Sequence, residues 1–362
     1  MQSVRSSPAE AARDVGAGTS AGNPFLEGWA QEAALRHLPH GAGPVGCAGA
    51  ASGGAGIPLI RRLNVPVVPG SVWSVWDHIH CFDTTPACEA DPEALLDETF
   101  GFLRRRGASL LYWQDLPTDT PFHARLVRYL ADAGLRFEVT RSRVRPFLNA
   151  RSGSGFDAGA ARLEGKHMAE FRRRRRRLEE TGRLDMVVHR DSHDAGIWMQ
   201  DFLRLEASGW KKEAGTAIAC NDGERGFFEA LMRGASARGQ ATVYSLELDG
   251  RPIAMTINLR SGEGEWSFKT AYCDSLSRYS PGALVNCEMT LGVLGDPSVA
   301  WVDSCMEYDG GILGKLWHDR REMVDLMIST GRAGNALPRL ARAALTTLRG
   351  VKTRMRPPKE AH

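Results

Sequence analysis

The amino-acid sequence predicts an α/β fold built on a mixed β-sheet and divided into two domains. The chain has 362 residues, which is more than one ordinary hydrophobic core organises. Three alternating stretches, "ATVYSLELDG", "RPIAMTINLRSG" and "EGEWSFKTAYC", are separated by turn residues and predict an antiparallel meander of three strands. A loop, the apolar helix "ALVNCEMTLGVL" and the strand "VAWVDSCM" follow, which implies a right-handed crossover and a parallel neighbour.

The N-terminal half has the same mixture of elements. "SLLYWQDLP" predicts a strand, Phe122–Gly134 a helix with Gly134 as its C-cap, and "LRFEVTRSRVRPFL" a second strand. The first 23 residues are rich in Ala, Gly and Ser and lack an apolar signal-peptide core, so we expect a disordered tail. With the small-residue stretch 150–160 as boundary, the predicted organisation is a tail at 1–23, domains at 24–150 and 151–335, and a basic amphipathic helix and tail at 336–362.

The C-terminal domain begins with an arginine-rich helix, "FRRRRRRLEETG". Six consecutive arginines point around a helix at 100° steps, so they cannot form one flat patch. Met168, Phe171 and Leu178 form a partial apolar stripe, and Arg175 falls on it. The strand "RLDMVVHRD" and the helices "WMQDFLRLEASGW" and "ERGFFEALMRGASARG" lead from there to the meander.

The final segment combines an apolar stripe with basic residues. Leu and Ala recur at three- and four-residue steps from Leu337 to Leu348, and no acidic residue occurs between Leu337 and Lys359. Such a helix can lie on an anionic membrane surface or dock on the body of the protein. The stripe is rich in Ala and lacks Trp and Phe, which favours docking and leaves peripheral membrane contact as the alternative.

The composition excludes several classes of protein. Hydrophobic residues are 43%, charged residues 25% and the net charge is +3, which is typical of a soluble globular protein and makes a dedicated nucleic-acid binder unlikely. No apolar run approaches the roughly 18 residues that span a membrane. The seven cysteines form no C-x-x-C pair, which indicates reduced thiols and predicts a cytoplasmic protein.

Two short motifs resemble ligand sites without their usual context. "GAGPVG" at 41–46 matches a dinucleotide fingerprint, but "RHLPH" precedes it instead of a buried strand. "DHIHC" places His78 and His80 on one face of a possible strand, but no second ligand pair follows at zinc-finger spacing. We therefore expect neither a dinucleotide nor a metal.

The loop "RYSPGALV", from Arg278 to Val285, has the composition of a phosphate site. The first turn of a helix presents free N–H groups and the positive end of its dipole. Gly282 lets the backbone approach a ligand, and Arg278 and Ser280 can add donors. On its own, the same loop is better explained as an ordinary helix start, where Ser-Pro-Gly is common.

The order of elements and four stretches together resemble the GNAT N-acyltransferase superfamily. The stretches are "FRRRRRRLEETG", "FLRLEASGWKKEAGTAI", "FKTAYCDSLSRYSPGALV" and "GKLWHDRREM". Their residues and their order resemble those of the branch with a cellulose-biosynthesis-type (CelD-like) domain. "GIPLIRRL" and "LLYWQDLPTDTPF" resemble that branch's N-terminal half, a second GNAT-like domain as in the related Fem peptidyltransferases. The resemblance implies tandem GNAT-like domains, the second with an antiparallel meander and a β-α-β acyl-CoA core.

The resemblance also implies a donor site for acetyl-CoA or another acyl-CoA, and no metal. The superfamily's pyrophosphate loop has the pattern Gln/Arg-x-x-Gly-x-Gly/Ala, in which Arg278 matches the first position and Ala283 the last. Pro281 stands in place of the first Gly and removes one N–H donor. The implied cofactor-binding residues are Arg278, Tyr279, Ser280, Gly282 and Ala283.

The implied catalytic residues follow from the needs of acyl transfer to an amine. A main-chain N–H within Lys269–Tyr272 would serve the oxyanion, and Glu206 or Asp303 would act as base. Lys269 lies in an otherwise apolar strand, where a buried amine needs a partner or a task. Tyr308 comes where superfamily members keep a general acid.

The implied acceptor residues are Arg173, Arg176, Lys315 and Trp317. The sequence thus predicts a cytoplasmic acyl-CoA-dependent N-acyltransferase whose acceptor is a small molecule or a saccharide amine, such as a cell-envelope or polysaccharide precursor. Two alternatives stay open. One is a Fem-like transferase that uses aminoacyl-tRNA, and the other is a non-catalytic accessory protein of polysaccharide biosynthesis.

Overall fold

The computed structural model describes residues 22–38, 46–48, 56–62, 70–86, 91–151, 166–190, 193–208 and 217–343. Its contacts divide the chain into two compact units. The first unit comprises Met1–Gly28, His40–Arg143 and Glu322–His362, and the second comprises Trp29–Pro39 and Val144–Arg321. Each unit is made of separate stretches of the chain. The two units therefore do not test the single domain boundary near residue 150, which stays a prediction.

The elements alternate between helices and strands along most of the chain. In chain order they are α1 (Gly28–His37), β1 (Gly46–Ala48), β2 (Ile57–Arg61), β3 (Ser71–Val75), α2 (Pro92–Arg105), β4 (Ala108–Pro117), α3 (Pro121–Asp132), β5 (Phe137–Asn149), α4 (Lys166–Glu179), β6 (Leu184–His189), α5 (Ala195–Glu206), α6 (Asp222–Ser236), β7 (Ala241–Leu248), β8 (Arg251–Ser261), β9 (Gly264–Tyr272), α7 (Pro281–Leu294), β10 (Trp301–Asp303), α8 (Gly311–Leu316) and β11 (Asp319–Ser329). Short 3₁₀ turns occupy Ile218–Cys220, Asp274–Tyr279 and Arg332–Gly334.

The first unit arranges its strands in the order β1, β2, β3, β4 and β11, with the first half of β5 beside β11. β3 and β4 are parallel, and the pairs β1–β2, β2–β3 and β4–β11 are antiparallel. Helices α2 and α3 each begin with a proline after a capping side chain. Asp91 Oδ1 accepts the Ala94 N–H at 2.9 Å, and Thr120 Oγ1 accepts the His123 N–H at 3.2 Å. Gly134, at φ +66°, follows the end of α3 as predicted.

The beginning of the C-terminal helix docks on the first unit. Residues 337–343 are helical, and Leu337 and Ala341 pack with Val72, Leu110 and Met327. The basic side chains Arg339 and Arg342 pair with Glu138 at 3.2 Å and 2.8 Å. Docking, the favoured interpretation of this stripe, is confirmed for 337–343, and residues 344–362 lie outside the described part of the chain.

The histidines of "DHIHC" belong to the buried part of the first unit. His78 and His80 are 9% and 5% exposed, and Cys81 Sγ lies 3.3 Å from the carbonyl oxygen of Asp83. Burial raises the pKa of the Cys81 thiol well above its usual value. Among the described residues, no group of His, Cys, Asp and Glu is arranged to hold a metal ion. Of the "GAGPVG" motif only Gly46, in β1, lies within the described residues.

The second unit has the strand order β5, β10, β9, β8, β7, β6. Strands β7, β8 and β9 form the predicted three-stranded antiparallel meander, and β6 adds a further antiparallel strand beside β7. Asp249 and Gly250, at φ 52° and 73°, form the predicted tight turn between β7 and β8. β10 pairs parallel with β9, as predicted, and antiparallel with β5.

Helix α7 packs on the strands of this meander and contributes apolar side chains to the hydrophobic core of the second unit. Leu284, Val285, Met289 and Val293 are all buried there. Among the described helices, none combines the length and the apolarity that a membrane crossing needs.

Candidate active site

The parallel strands β9 and β10 pair over only three positions. Gly264–Trp266 lie opposite Trp301–Asp303. β10 ends at Asp303, whereas β9 continues to Tyr272. Beyond Trp266, β9 therefore has an edge that β10 does not cover.

A cavity of about 640 Å³ lies beside this edge, within the range of small-molecule sites. Every lining residue belongs to the second unit. The lining consists of Ser267, Phe268, Lys269, Thr270 and Tyr272 from β9; Ser277, Ser280, Gly282, Ala283 and Asn286 from α7 and the turn before it; and Ser304, Cys305, Met306, Tyr308, Ile312 and Leu313 from the segment after β10.

Strand β9 is irregular where it lines the cavity. Ile257 of β8 pairs with Lys269, but the next residue, Asn258, pairs with Ser267. Phe268 is therefore an extra residue, which makes a β-bulge. A bulge interrupts the ladder of hydrogen bonds and changes where main-chain groups point, and bulges are common beside active sites. The predicted oxyanion-binding segment, Lys269–Tyr272, begins directly after it.

The first turn of α7 forms one end of the cavity. Ser280 precedes the helix in the left-handed conformation, at φ 53° and ψ 55°, and its carbonyl accepts the N–H groups of Ala283 and Leu284 at 2.9 Å and 3.1 Å. Pro281 has no N–H, so the first N–H that this helix offers is that of Gly282. A Cβ on Gly282 would lie 2.8 Å from Cδ1 of Tyr272, so glycine is required here by the ring packed against it.

Asn286 is a buried polar residue at the same end of the cavity. Its side chain is 4% exposed, and Nδ2 donates to the Gly282 carbonyl at 2.8 Å. Its Oδ1 is buried and accepts no hydrogen bond from the described residues. A buried acceptor in this state costs free energy, and native structures usually supply a partner.

The remaining residues predicted for the cofactor lie outside the cavity wall. Arg278 is exposed, and its guanidinium lies 4.7 Å from the ring centroid of Tyr279. Tyr279 packs against the apolar core instead of lining the cavity. Of the five predicted residues, the structure brings Ser280, Gly282 and Ala283 together at the cavity.

Asp303 lies at the end of β10, but its side chain is fully buried and does not line the cavity. Its Oδ2 accepts from Arg145 Nη2 at 2.7 Å and from Arg321 Nη1 at 3.0 Å. Burial raises the pKa of this carboxyl, but the charges of Arg145 and Arg321 outweigh that effect and lower it. Its Oδ1 accepts the Cys305 N–H at 2.9 Å, which supports the turn where Cys305 has φ 55°. These contacts are those of a structural anchor.

Glu206, the other predicted base, does not line the cavity either. Its side chain is 5% exposed at the end of α5, and Oε2 accepts the Ile218 N–H at 2.7 Å. It therefore supports the short 3₁₀ turn at Ile218–Cys220.

Two predicted catalytic residues do line the cavity. Lys269 projects from β9, with Nζ 5.3 Å from the ring centroid of Phe268. Tyr308 lines the opposite segment and is 61% exposed. Cys305, a buried cysteine, lies in the same wall and was not singled out by the sequence. The described lining contains no carboxylate.

The residues predicted to bind the acceptor have varied surroundings. Trp317 is 1% exposed, and its Nε1 donates to Thr290 Oγ1 at 3.0 Å, which ties the end of α8 to α7. Lys315 is exposed on α8. Arg173 pairs with Glu170 at 2.8 Å, and Arg176 is exposed.

Two other arginines of α4 contact α7. Arg174 Nη1 donates to Ser280 Oγ, at the start of the helix, and its Nε donates to Glu170 at 2.7 Å. Arg175 pairs with Glu288 of α7 and with Glu179. Met168, Phe171 and Leu178 are buried, so the predicted apolar stripe of α4 is confirmed. The position of Arg175 on that stripe was the only sequence signal for these contacts.

Residues 165–304 match the family model described as "Acetyltransferase (GNAT) domain". The matched segment runs from α4 to the residue after β10, so it includes β9, the first turn of α7 and most of the cavity wall. This part of the chain is thus similar to GNAT-type acetyltransferase domains. A comparison with curated proteins gave no match.

Solved structures resemble nearly the whole chain. The C-terminal domain (DUF2156) of a protein described as a lysylphosphatidylglycerol synthetase, from Agrobacterium fabrum, is 16% identical with a TM-score of 0.54, covering 94% of this chain and 97% of that chain. FemX is 10% identical with a TM-score of 0.52, covering 94% and 100%. At these identities the likeness concerns the fold, and the predicted GNAT-like α/β fold is confirmed.

Proposed function

We propose that this protein is an acyl-CoA-dependent N-acyltransferase, with acetyl-CoA as the first donor to test. The observation that carries the proposal is the cavity between β9 and the segment after β10, closed at one end by the first turn of α7. An acyl-CoA has an acyl thioester at one end and a diphosphate further along. An open strand edge offers main-chain N–H groups to the first, and a helix N-terminus suits the second.

In the proposed reaction the acceptor nitrogen attacks the carbonyl carbon of the thioester. A main-chain N–H within Lys269–Tyr272 stabilises the negative charge that develops on the carbonyl oxygen. The N–C bond forms, the C–S bond breaks, and the proton of the amine leaves to water. The CoA thiolate takes a proton from the Tyr308 hydroxyl, which recovers one from solvent.

The surroundings of the titratable residues decide which of them we include. Tyr308 and Lys269 line the cavity, so we assign Tyr308 as the general acid and Lys269 as a positive charge near the leaving thiolate. Glu206 and Asp303 are buried in other contacts, and we leave both out of the proposed set. Water is then the proposed base.

The finer assignments rest on the resemblance to the CelD-like branch. We propose a saccharide amine or another cell-envelope precursor as acceptor, and a cytoplasmic location. The exposed Tyr308 side of the cavity is where an acceptor would approach.

A second candidate donor is aminoacyl-tRNA. Arg172, Arg176 and Arg177 are exposed on α4, the helix that contacts the first turn of α7. A polyanionic donor would benefit from these charges, and its binding would weaken steeply with salt. The similarity to FemX and to a lysylphosphatidylglycerol synthetase is compatible with aminoacyl transfer.

A thermal-shift measurement on the full chain with acetyl-CoA, CoA and tRNA tests these proposals. A ligand at 100 times its Kd stabilises the folded state by about 2.7 kcal/mol. At about 2–4 °C per kcal/mol, acetyl-CoA should raise Tm by about 5–11 °C. A rise with tRNA alone would replace the first proposal by the second. No rise with any of the three would contradict both and leave the accessory role.

A further inference from the structure

The arginine run contacts the wall of the cavity through one residue. Arg174 is the arginine of α4 whose guanidinium contacts Ser280, and Ser280 lines the cavity. Glu170 holds Arg174 Nε at 2.7 Å, so the guanidinium is oriented before any ligand arrives. Arg175, paired with Glu288, fixes the next position of α4 against α7.

The first turn of α7 needs such a group. Pro281 deprives it of one N–H donor, and the N–H groups of Ala283 and Leu284 already donate to the Ser280 carbonyl. A guanidinium has five N–H donors and binds phosphate in a bidentate geometry. One donor of Arg174 serves Glu170 and one serves Ser280, so its remaining donors can reach an anion at this turn.

Asn286 gives an independent indication of a ligand at the same place. Its buried Oδ1 accepts no hydrogen bond from the described residues, and the side chain lines the cavity. A ligand that donates an N–H there would satisfy it. The pantetheine arm of CoA carries amide N–H groups between its diphosphate and its sulfur.

We propose that Arg174 binds the phosphates of the acyl donor and that Asn286 Oδ1 accepts an amide N–H of the arm. This inference rests on the proposed function and adds two donor-binding residues to it. Arg174 thus takes the place of the N–H donor that Pro281 removes. The ligand is a thioester whose arm carries an amide and ends in a diphosphate.

Calorimetric titration of the full chain with acetyl-CoA and with acetyl-pantetheine, which lacks the phosphates, tests the two roles separately. Arg174→Gln should weaken acetyl-CoA binding by about 10-fold to 100-fold, the scale of a lost charge-assisted hydrogen bond, and should leave acetyl-pantetheine binding unchanged. Asn286→Ala should weaken both ligands by a similar factor. Arg177→Gln, the same charge change at an exposed position of α4, should change neither. Arg174→Lys should restore part of the affinity.

The outcomes separate this inference from the proposed function. If the unaltered protein binds acetyl-CoA and Arg174→Gln binds it equally well, the phosphate role of Arg174 is wrong while the proposed function stands. If Arg174→Gln weakens both ligands alike and lowers Tm, Arg174 is a structural residue and the inference is again wrong. If the unaltered protein binds neither ligand, the proposed function fails and this inference fails with it.

Discussion

Replacing Asp303 by Asn tests whether this residue is an anchor of the second unit. The side chain is fully buried, and its carboxylate is the partner of Arg145 and Arg321. Asparagine has nearly the same size, so the substitution removes the charge while creating little empty space. Both guanidinium groups then lose the negative charge of Asp303 in a site that is buried from solvent. The guanidinium of Arg321 also lies 3.9 Å from the ring centroid of Phe147, so it is enclosed by an aromatic residue.

The expected loss is large because one partner of a buried ion pair is removed. Such changes cost about 3–5 kcal/mol, since the remaining charge stays buried without compensation. At about 2–4 °C per kcal/mol, Tm should fall by about 6–20 °C. Asp309→Asn is the matched control, because Asp309 pairs with Arg320 at 2.6 Å but is 38% exposed. Exposed pairs contribute about 0–1 kcal/mol, so this variant should stay close to the unaltered protein.

The pH dependence gives a second measurement on the same residue. The folded-state pKa of Asp303 lies below its usual value of 3.8, because the two arginine charges outweigh the effect of burial. The carboxylate therefore contributes stability at all pH values above 3.8, and this stability is lost as pH falls through the folded-state pKa. Tm measured from neutral pH downward should fall more steeply below that value in the unaltered protein than in Asp303→Asn. Equal Tm values for the two proteins at neutral pH would refute the anchor role.

Three further substitutions test the site and the docked helix. Gly282→Val should lower acetyl-CoA affinity at least 10-fold in a binding titration, because the valine Cβ would lie 2.8 Å from Tyr272. Adding Tyr272→Ala to this variant should restore part of the lost affinity. Tyr308→Phe should lower kcat by about 10²-fold or more without changing acetyl-CoA affinity, as expected for a general acid, and unchanged kcat would contradict the assignment. Leu337→Asp should destabilise the protein by about 1–3 kcal/mol, whereas Leu340→Asp, at a position that is 54% exposed, should cost less than about 0.5 kcal/mol.

The local structure was predictable wherever the residues of a short segment themselves favour one backbone conformation. Asp249-Gly250 marks a turn because both residues adopt positive φ, and the strands on either side of it were correctly predicted. The sequence did not predict the pairing of β6 with β7, since the two strands lie far apart in sequence and the residues of neither strand indicate which strand it pairs with. β10 is shorter than its apolar run, because Cys305 turns the chain at φ 55° shortly after Asp303.

For the candidate site, only the arrangement of the backbone elements was predictable from the sequence. The resemblance implied five cofactor-binding residues around the helix start, and three of them, Ser280, Gly282 and Ala283, line one cavity. The surroundings of single side chains were not predictable in this way. Asp303 stands at the end of the expected strand, but its partners Arg145 and Arg321 come from two other strands, β5 and β11, and these contacts are those of an anchor.

The six arginines of α4 also show that the surroundings of single side chains could not be predicted from the sequence. In the sequence they are alike, and their number suggests a polyanion as partner. In the structure their environments differ: Arg173 is held by Glu170, Arg174 reaches Ser280, and Arg175 pairs with Glu288. Arg172, Arg176 and Arg177 are exposed. Neighbouring positions on a helix differ by 100°, so successive arginines meet different surroundings, and Arg174 is the one whose guanidinium contacts Ser280 at the start of α7. The run therefore makes one specific contact with the cavity wall, and the exposed arginines contribute a general positive field that salt would screen.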